Sequence, residues 1–311
     1  PRTVSPLRAA PDATPPDLAG PPRWTMSTAA LTSDDHDGIV VGRRTVDSNG
    51  DTHPLLPVVE GDRLYLNDGL AVTALDRSSR YELWRFSPET MVERPTNRRF
   101  AVSSRGGVDA RGVAIAADHV VAVVGRVPTY YGFAASAGQT FLTALNKDDG
   151  SEAWSVTPED LDKGLSNAFF HGTPVVDHNR VYALVRRSQI SQFQDAYIVC
   201  VRLTDHKLLW RRYLSSSLAD RNGGQFTEIV FDKGRLYVAD NLGAVACLAG
   251  QDGRLYWLRV LQDASRKIDA IGVGAFRVQS SWQAGAPARI DAGVLLPPQE
   301  PNASALLLDA D

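Results

Sequence analysis

The sequence predicts an all-β fold made of repeated four-stranded antiparallel units, a β-propeller, and three observations carry that prediction. Residues 57–86, PVVEGDRLYLNDGLAVTALDRSSRYELWRF, divide into four short apolar runs separated by Gly, Asp and Ser clusters. That is the pattern of short strands joined by turns, and no run is long enough for a typical helix. An eleven-residue segment with a small residue first and Trp last recurs at residues 74–84, 144–154, 200–210 and 247–257. Each is preceded by a pair of strand-like runs, at 57–66, 113–124, 174–185 and 229–239, while the Trp-to-Trp spacings are 70, 56 and 47 residues. The unit is therefore constant and the connections vary, as in propeller blades.

Taken in order, residues 1–23 hold seven prolines and little apolar periodicity, and read as an extended arm. Arg23-Trp24-Thr25-Met26 resembles the fourth-strand pieces LWRF, AWSV and LWRR, so Trp24 is expected on an orphan outer strand that completes a terminal blade. The stretch 32–54 contains SDDHDG and DSNGDTH. A calcium loop starting at Asp47 would need Gly at position 6 and Glu at position 12, where Thr52 and Val58 stand, so this is read as a solvated turn and no metal is expected. The propeller is expected over 24–311, with blades at about 55–86, 107–156, 170–214 and 226–261 and a partial one at 287–311. Leu307-Leu308-Asp309 matches Ala74-Leu75-Asp76, and the Trp due ten residues after Leu307 falls beyond Asp311. Either Trp24 closes a five-unit ring, or these blades are part of a larger ring, the preferred reading.

The pattern small-x-Asp-x-x-Thr-Gly-x-x-x-Trp resembles the tryptophan-docking segment of the quinoprotein-like propellers. That family includes pyrroloquinoline-quinone (PQQ) alcohol dehydrogenases and BamB-type outer-membrane assembly lipoproteins. The resemblance covers roughly residues 55–311 and implies that Trp84, Trp154, Trp210, Trp257 and Trp24 are inter-blade staples, in a ring of about seven or eight blades. The Gly is kept at Gly150 and Gly253 but replaced by Arg80 and His206, and the Asp survives only at Asp76. The quinone enzymes of the family are also alike in a vicinal Cys pair, a calcium held by acidic and amide groups, and an Asp near the axis. Here Cys200 and Cys247 are 47 residues apart, so no cofactor is expected.

Composition narrows the remaining classes. Lys plus Arg number 33 against 36 for Asp plus Glu, a net charge of -3 that speaks against a nucleic-acid footprint. No apolar run approaches the roughly 18 residues of a membrane span. Cys200 and Cys247 occupy the same position as Ala74 and Ala144 in successive units, and read as small buried thiols rather than a disulfide or metal pair. There is no GxSxG elbow, no phosphate loop and no dinucleotide fingerprint.

Turns between strands one and two, and between three and four, are tight, whereas long connections run at 87–111, 126–139, 157–173, 186–195, 215–225, 262–287 and 297–304. In an up-and-down meander these long connections share one face, and long loops on a rigid scaffold are where binding tends to reside. Tyr130, Tyr131 and Phe133 in one connection, and Phe169, Phe170 and His171 in the next, are candidate partner-binding residues, exposed as anchors for a protein or glycan or folded back as a cap. Thr157 precedes Pro158-Glu159-Asp160 as an N-cap, predicting a short helix that ends at Gly164, and Ser87-Pro88-Glu89 starts a second. The function expected is a non-catalytic, exported propeller (periplasmic, envelope-associated or secreted) that binds protein partners, or missing blades of its own chain, through the long-loop face. The alternatives are a PQQ-dependent oxidoreductase whose catalytic residues lie outside this chain, and a carbohydrate-binding propeller.

Overall fold

The computed structural model describes residues 56–88, 111–125, 139–188, 193–218, 228–240 and 244–260, with the short segments 130–131, 134–135, 267–270, 276–279, 288–290, 293–296 and 306–308 and the single residue 242. All of them fall in one unit, residues 44–311. The proline-rich arm, Trp24, the Asp-rich stretch before residue 54, Glu89 and Phe133 lie outside the described residues.

The first sheet is a meander of β1 (Val58–Glu60), β2 (Arg63–Asn67), β3 (Val72–Asp76) and β4 (Glu82–Phe86). The second contains β5 (Val113–Ile115) and β6 (His119–Gly125). A separate hairpin of β7 (Tyr130–Tyr131) and β8 (Ala134–Ala135) interrupts it before β9 (Thr140–Asn146) and β10 (Glu152–Val156) complete the sheet. A short helix α1 (Pro158–Leu161) and a 3-10 turn (Lys163–Leu165) lead into the third sheet. Its strands are β11 (Ala168–Asp177), β12 (Arg180–Ser188), β13 (Phe193–Arg202) and β14 (Leu208–Leu218). The fourth holds β15 (Glu228–Asp232), β16 (Arg235–Ala239), β17 (Ala244–Ala249) and β18 (Leu255–Val260). After a hairpin of β19 (Lys267–Ala270) and β20 (Phe276–Gln279) comes a three-stranded sheet of β21 (Ala288–Ile290), β22 (Gly293–Leu296) and β23 (Leu306–Leu308).

These sheets are propeller blades. Successive first strands neighbour one another, β5 beside β11, β11 beside β15 and β15 beside β21. Three apolar clusters lie between sheets. Tyr65, Trp84, Val120 and Val124 join the first two, Val121, Trp154, Phe170 and Val185 the second and third, and Tyr182, Ile198, Leu236 and Leu248 the third and fourth. The second and third sheets are thus apolar on both faces and bury each against a neighbour, as layered packing demands.

The recurring segment has a recurring geometry. Its small first residue pairs across the ladder with its own Trp: Ala74 with Trp84, Ala144 with Trp154, Cys200 with Trp210 and Cys247 with Trp257, each pair beside a β-bulge. A small side chain there leaves room for the indole. The bulge bends the strand and increases its twist.

Two parts of the long-connection reading change. Residues 186–195 are mostly strand, because Arg187 pairs opposite Asp195 and Ser188 opposite Gln194, so cross-strand polar pairs extend a hairpin that its composition marks as loop. Residues 215–218 likewise belong to β14. The connection between strands two and three is a tight turn in the first and fourth blades: Asp68 accepts from the amides of Leu70 and Ala71, and Asp240 from those of Leu242 and Ala244.

Candidate functional site

The face with the elaborated connections is built from strand ends, and its polar groups are held to main chain or to one another. Near the first strands, Arg111 donates to the carbonyls of Gly69 (3.3 Å) and Gly125 (2.7 Å), tying the first blade to the second. Asn67 reaches the carbonyls of Gly112 (3.2 Å) and Val123 (3.0 Å). The Gly112 amide donates to the Thr173 hydroxyl at 2.8 Å, which ties the second blade to the third.

Between the second and third blades, α1 carries a reciprocal capping box. The Asp160 amide donates to the Thr157 hydroxyl oxygen, and the Thr157 amide donates back to the Asp160 carboxylate at 2.9 Å. The hydrogen bonds from Thr157 hold the Asp160 carboxyl below its usual range. The α-helical part ends at Leu161 and the 3-10 turn carries the chain past Gly164.

The third blade, the longest-stranded of the four, is extended by a polar network. Arg187 donates to Asp195 from Nη2 at 2.7 Å and from Nε at 3.3 Å, and Ser216 donates to the other carboxylate oxygen at 2.7 Å. Arg187 also donates to the Gly164 carbonyl at 3.1 Å and lies over the Tyr197 ring at 5.6 Å. One residue earlier the strand's alternation sends Arg186 to the opposite face, where it donates to the Asp240 carbonyl of the fourth blade at 2.8 Å. Asp240 is buried and accepts from Ser215 as well as from its own turn. Burial pushes its carboxyl above the usual range, against the pull of Ser215, the turn amides and Arg186.

The anticipated anchors divide. Phe169, Phe170 and His171 are not on a loop: they lie inside β11 and are buried, at 2%, 0% and 4% exposure. Phe170 packs in the core between second and third blades, and its amide donates to Thr140 at 2.6 Å. Gly172 and Pro174 mark a strand start in the sequence, but the strand passes them through an irregularity in pairing between His171 and Val175. Tyr130 and Tyr131 form β7, the first strand of the hairpin on the second blade's long connection.

The tryptophans meet the next blade at one repeated position. Trp84 Nε1 donates to the Lys147 carbonyl (3.0 Å), Trp154 to Leu203 (2.6 Å) and Trp210 to Gly250 (3.1 Å), each acceptor being the fourth residue of the following unit. Gly150 and Gly253 lie under the indoles of Trp84 and Trp210, and a Cβ on either would sit 2.5 Å from ring carbon Cε3. His206 occupies that position in the third blade at φ +50° and packs on Trp154 with ring centroids 6.0 Å apart.

As for a quinone or metal centre, the cysteines do not fit one. Cys200 and Cys247 sit in different blades, each buried opposite its own blade's Trp, and burial raises both thiols, Cys200 to about 12. Among the described residues no three His, Cys, Asp or Glu groups converge on a metal position. No helix among them is long and apolar enough to cross a membrane.

The four-stranded sheets, their neighbouring first strands and their docked tryptophans define a repeat β-propeller. Residues 70–196 match the family model described as outer membrane protein assembly factor BamB. No curated protein matches the chain. Among solved structures, quinohemoprotein alcohol dehydrogenase from Comamonas testosteroni is 17% identical over 66% of this chain and 34% of its own, with a TM-score of 0.46. BamB from Moraxella catarrhalis is 12% identical over 78% of this chain and 69% of its own, with a TM-score of 0.35. The chain thus spans about a third of the length of that dehydrogenase.

Proposed function

We propose that the chain is a non-catalytic, exported propeller that scaffolds protein assembly in the cell envelope or a larger complex, binding its partner through the face with the long connections. The observation that carries this reading is the placing of added structure. The β7–β8 hairpin, α1 and the extended strand ends of the third blade all elaborate connections of that face, on strands whose ends are locked by Arg111, Arg186 and Arg187. Binding surfaces built on a rigid scaffold lose little entropy on association. The match of residues 70–196 to the BamB family model supports the same reading.

The docked tryptophans are proposed as the staples that hold the blades in register, and Trp24 as the outer strand of a terminal blade. The test of the binding face is a photo-crosslinker placed at Tyr130 or Tyr131, set against one at Tyr81 on the opposite, short-turn face. Specific crosslinks from the hairpin positions alone support the reading; equal crosslinking from both faces overturns it. Turnover of an alcohol by the full protein supplied with PQQ and calcium would replace this reading with the oxidoreductase one.

A further inference from the structure

We propose that the part of the third blade that projects past the second is a binding shelf for a neutral oligosaccharide. The four strands of the third blade have 10, 9, 10 and 11 residues, against 3, 7, 7 and 5 in the second. On the face turned to the second blade, Val185, Val199 and Val201 are buried in the shared core. Strand alternation puts Arg187, Asp195 and Phe193 further along the same face, outside that core. Tyr197, opposite Val185, stands at the border: it packs on the core, and its ring meets Tyr213 edge to face at 5.5 Å between centroids. Tyr213 is 50% exposed and Phe193 39%. Phe193 and Tyr197 lie about 13 Å apart along β13, at about 3.3 Å per residue, so the shelf suits a chain of sugar rings rather than one.

The polar groups decide the chemistry. Arg187 pairs with Asp195 at 2.7 Å and Arg211 with Asp162 at 3.2 Å, and both guanidiniums are partly exposed. Because each of these charges is already matched, a charged ligand gains no counter-ion here and meets a like charge. An apolar peptide side chain would cover the rings but strip water from both ion pairs without replacing its hydrogen bonds, which is costly. Sugar hydroxyls both donate and accept, so they can take the place of that water while the apolar face of a pyranose lies on Tyr213. The shelf belongs to the long-connection face and adds a second kind of ligand to it. Crosslinking from Tyr130 and Tyr131 tests the protein partner separately, so either proposal can fail alone.

The probes are cellohexaose, maltohexaose and chitohexaose, all neutral, with the cationic de-N-acetylated form of chitohexaose and anionic hexagalacturonate as controls. Binding to the full chain is followed by saturation-transfer NMR. The expected result is saturable binding of at least one neutral hexamer, at least about tenfold tighter than both charged ones. Tyr213→Ala should weaken it about two- to tenfold, while Tyr213→Phe keeps the ring and the binding, and Tyr81→Ala on the short-turn face changes nothing. Phe193→Ala, at the other end of the shelf, should weaken it similarly and keeps the test open if Tyr213→Ala fails to fold. Binding of none of the neutral hexamers, equal binding of the charged ones, or binding unchanged in both alanine variants would each overturn the proposal. So would a photo-crosslinker at Tyr213 that captures a protein which the neutral hexamers do not displace.

Discussion

Replacing Gly253 by Ala tests the inter-blade docking with an internal control. At Gly253, φ is +69° and a Cβ would lie 2.5 Å from Cε3 and 2.8 Å from Cδ2 of Trp210. At Gly234, in the same blade, φ is +80° but nothing lies within 4 Å of a Cβ. Both substitutions carry the cost of a left-handed backbone, about 1–2 kcal/mol. Only Gly253→Ala adds overpacking against a ring held by its own hydrogen bond to Gly250, about 1–3 kcal/mol more. The expected losses are about 2–5 kcal/mol for Gly253→Ala and about 1–2 for Gly234→Ala. With a urea m-value of about 2–3 kcal/mol/M, the difference shifts the unfolding midpoint by about 0.3–1.5 M. The assay is urea unfolding followed by both tryptophan fluorescence and far-ultraviolet circular dichroism, because repeat arrays can unfold in steps that one probe misses. Equal midpoints for the two variants would refute the claim that Trp210 is pressed onto the turn of the next blade.

Further outcomes follow from two buried groups and one turn carboxylate. With its thiol pushed up to about 12 by burial, Cys200 should resist iodoacetamide in the native chain and react once the chain is unfolded; rapid native labelling would contradict its packing opposite Trp210. Asp240 has its carboxyl raised by burial, so the folded state holds its proton to higher pH than the unfolded state, whose value is near 3.8. Stability should therefore fall as pH rises from about 3.8 through the folded value, and thermal melts of Asp240→Asn should lack that part of the slope. Asp76, lowered to about 2 by the hydroxyls and amides of Ser79 and Ser78, has the opposite sign: its turn keeps its support above about pH 3.8 and loses it toward pH 2. A carboxyl-carbon NMR titration with a midpoint of about 4, the ordinary aspartate value, would refute that turn geometry.

The blade architecture was legible because strand alternation, tight Gly and Asp turns and the small-to-Trp segment act locally and repeat. What could not be read were features decided across strands or across blades. Arg186, Arg187 and Asp195 have loop-like composition, yet Arg187 and Asp195 become a cross-strand pair once β12 and β13 align. Gly172 and Pro174 punctuate the sequence, but the strand absorbs them in an irregular stretch, and Phe169 and Phe170 are buried ahead of it. Beyond its own turn Asp240 gave no local sign, since its other partners, Ser215 and Arg186, come from the preceding blade. The Thr157 cap was readable because a capping box is complete within four residues.

The wear in the repeat motif has a physical explanation in what each tryptophan recognises. Its indole N–H is received by a main-chain carbonyl, at Lys147, Leu203 or Gly250, so the side chain at the accepting position is free to vary. The turn beneath requires a left-handed residue, which Gly150 and Gly253 supply without strain and which Arg80 and His206 adopt at φ +68° and +50°. His is one of the residues that tolerate this region, and at His206 the ring replaces the close glycine contact by packing on Trp154. The turn carboxylate survives at Asp76, where it gathers Ser78 and Ser79, while the Asn146 turn is closed by Asp149 on Ser151 and the Ala249 turn by Asp252 on Arg254. A carboxylate that caps the turn can thus move along the segment without disturbing the docking. The geometry persists where the letters do not, and blade stacking constrains only the small residue, the left-handed turn and the tryptophan.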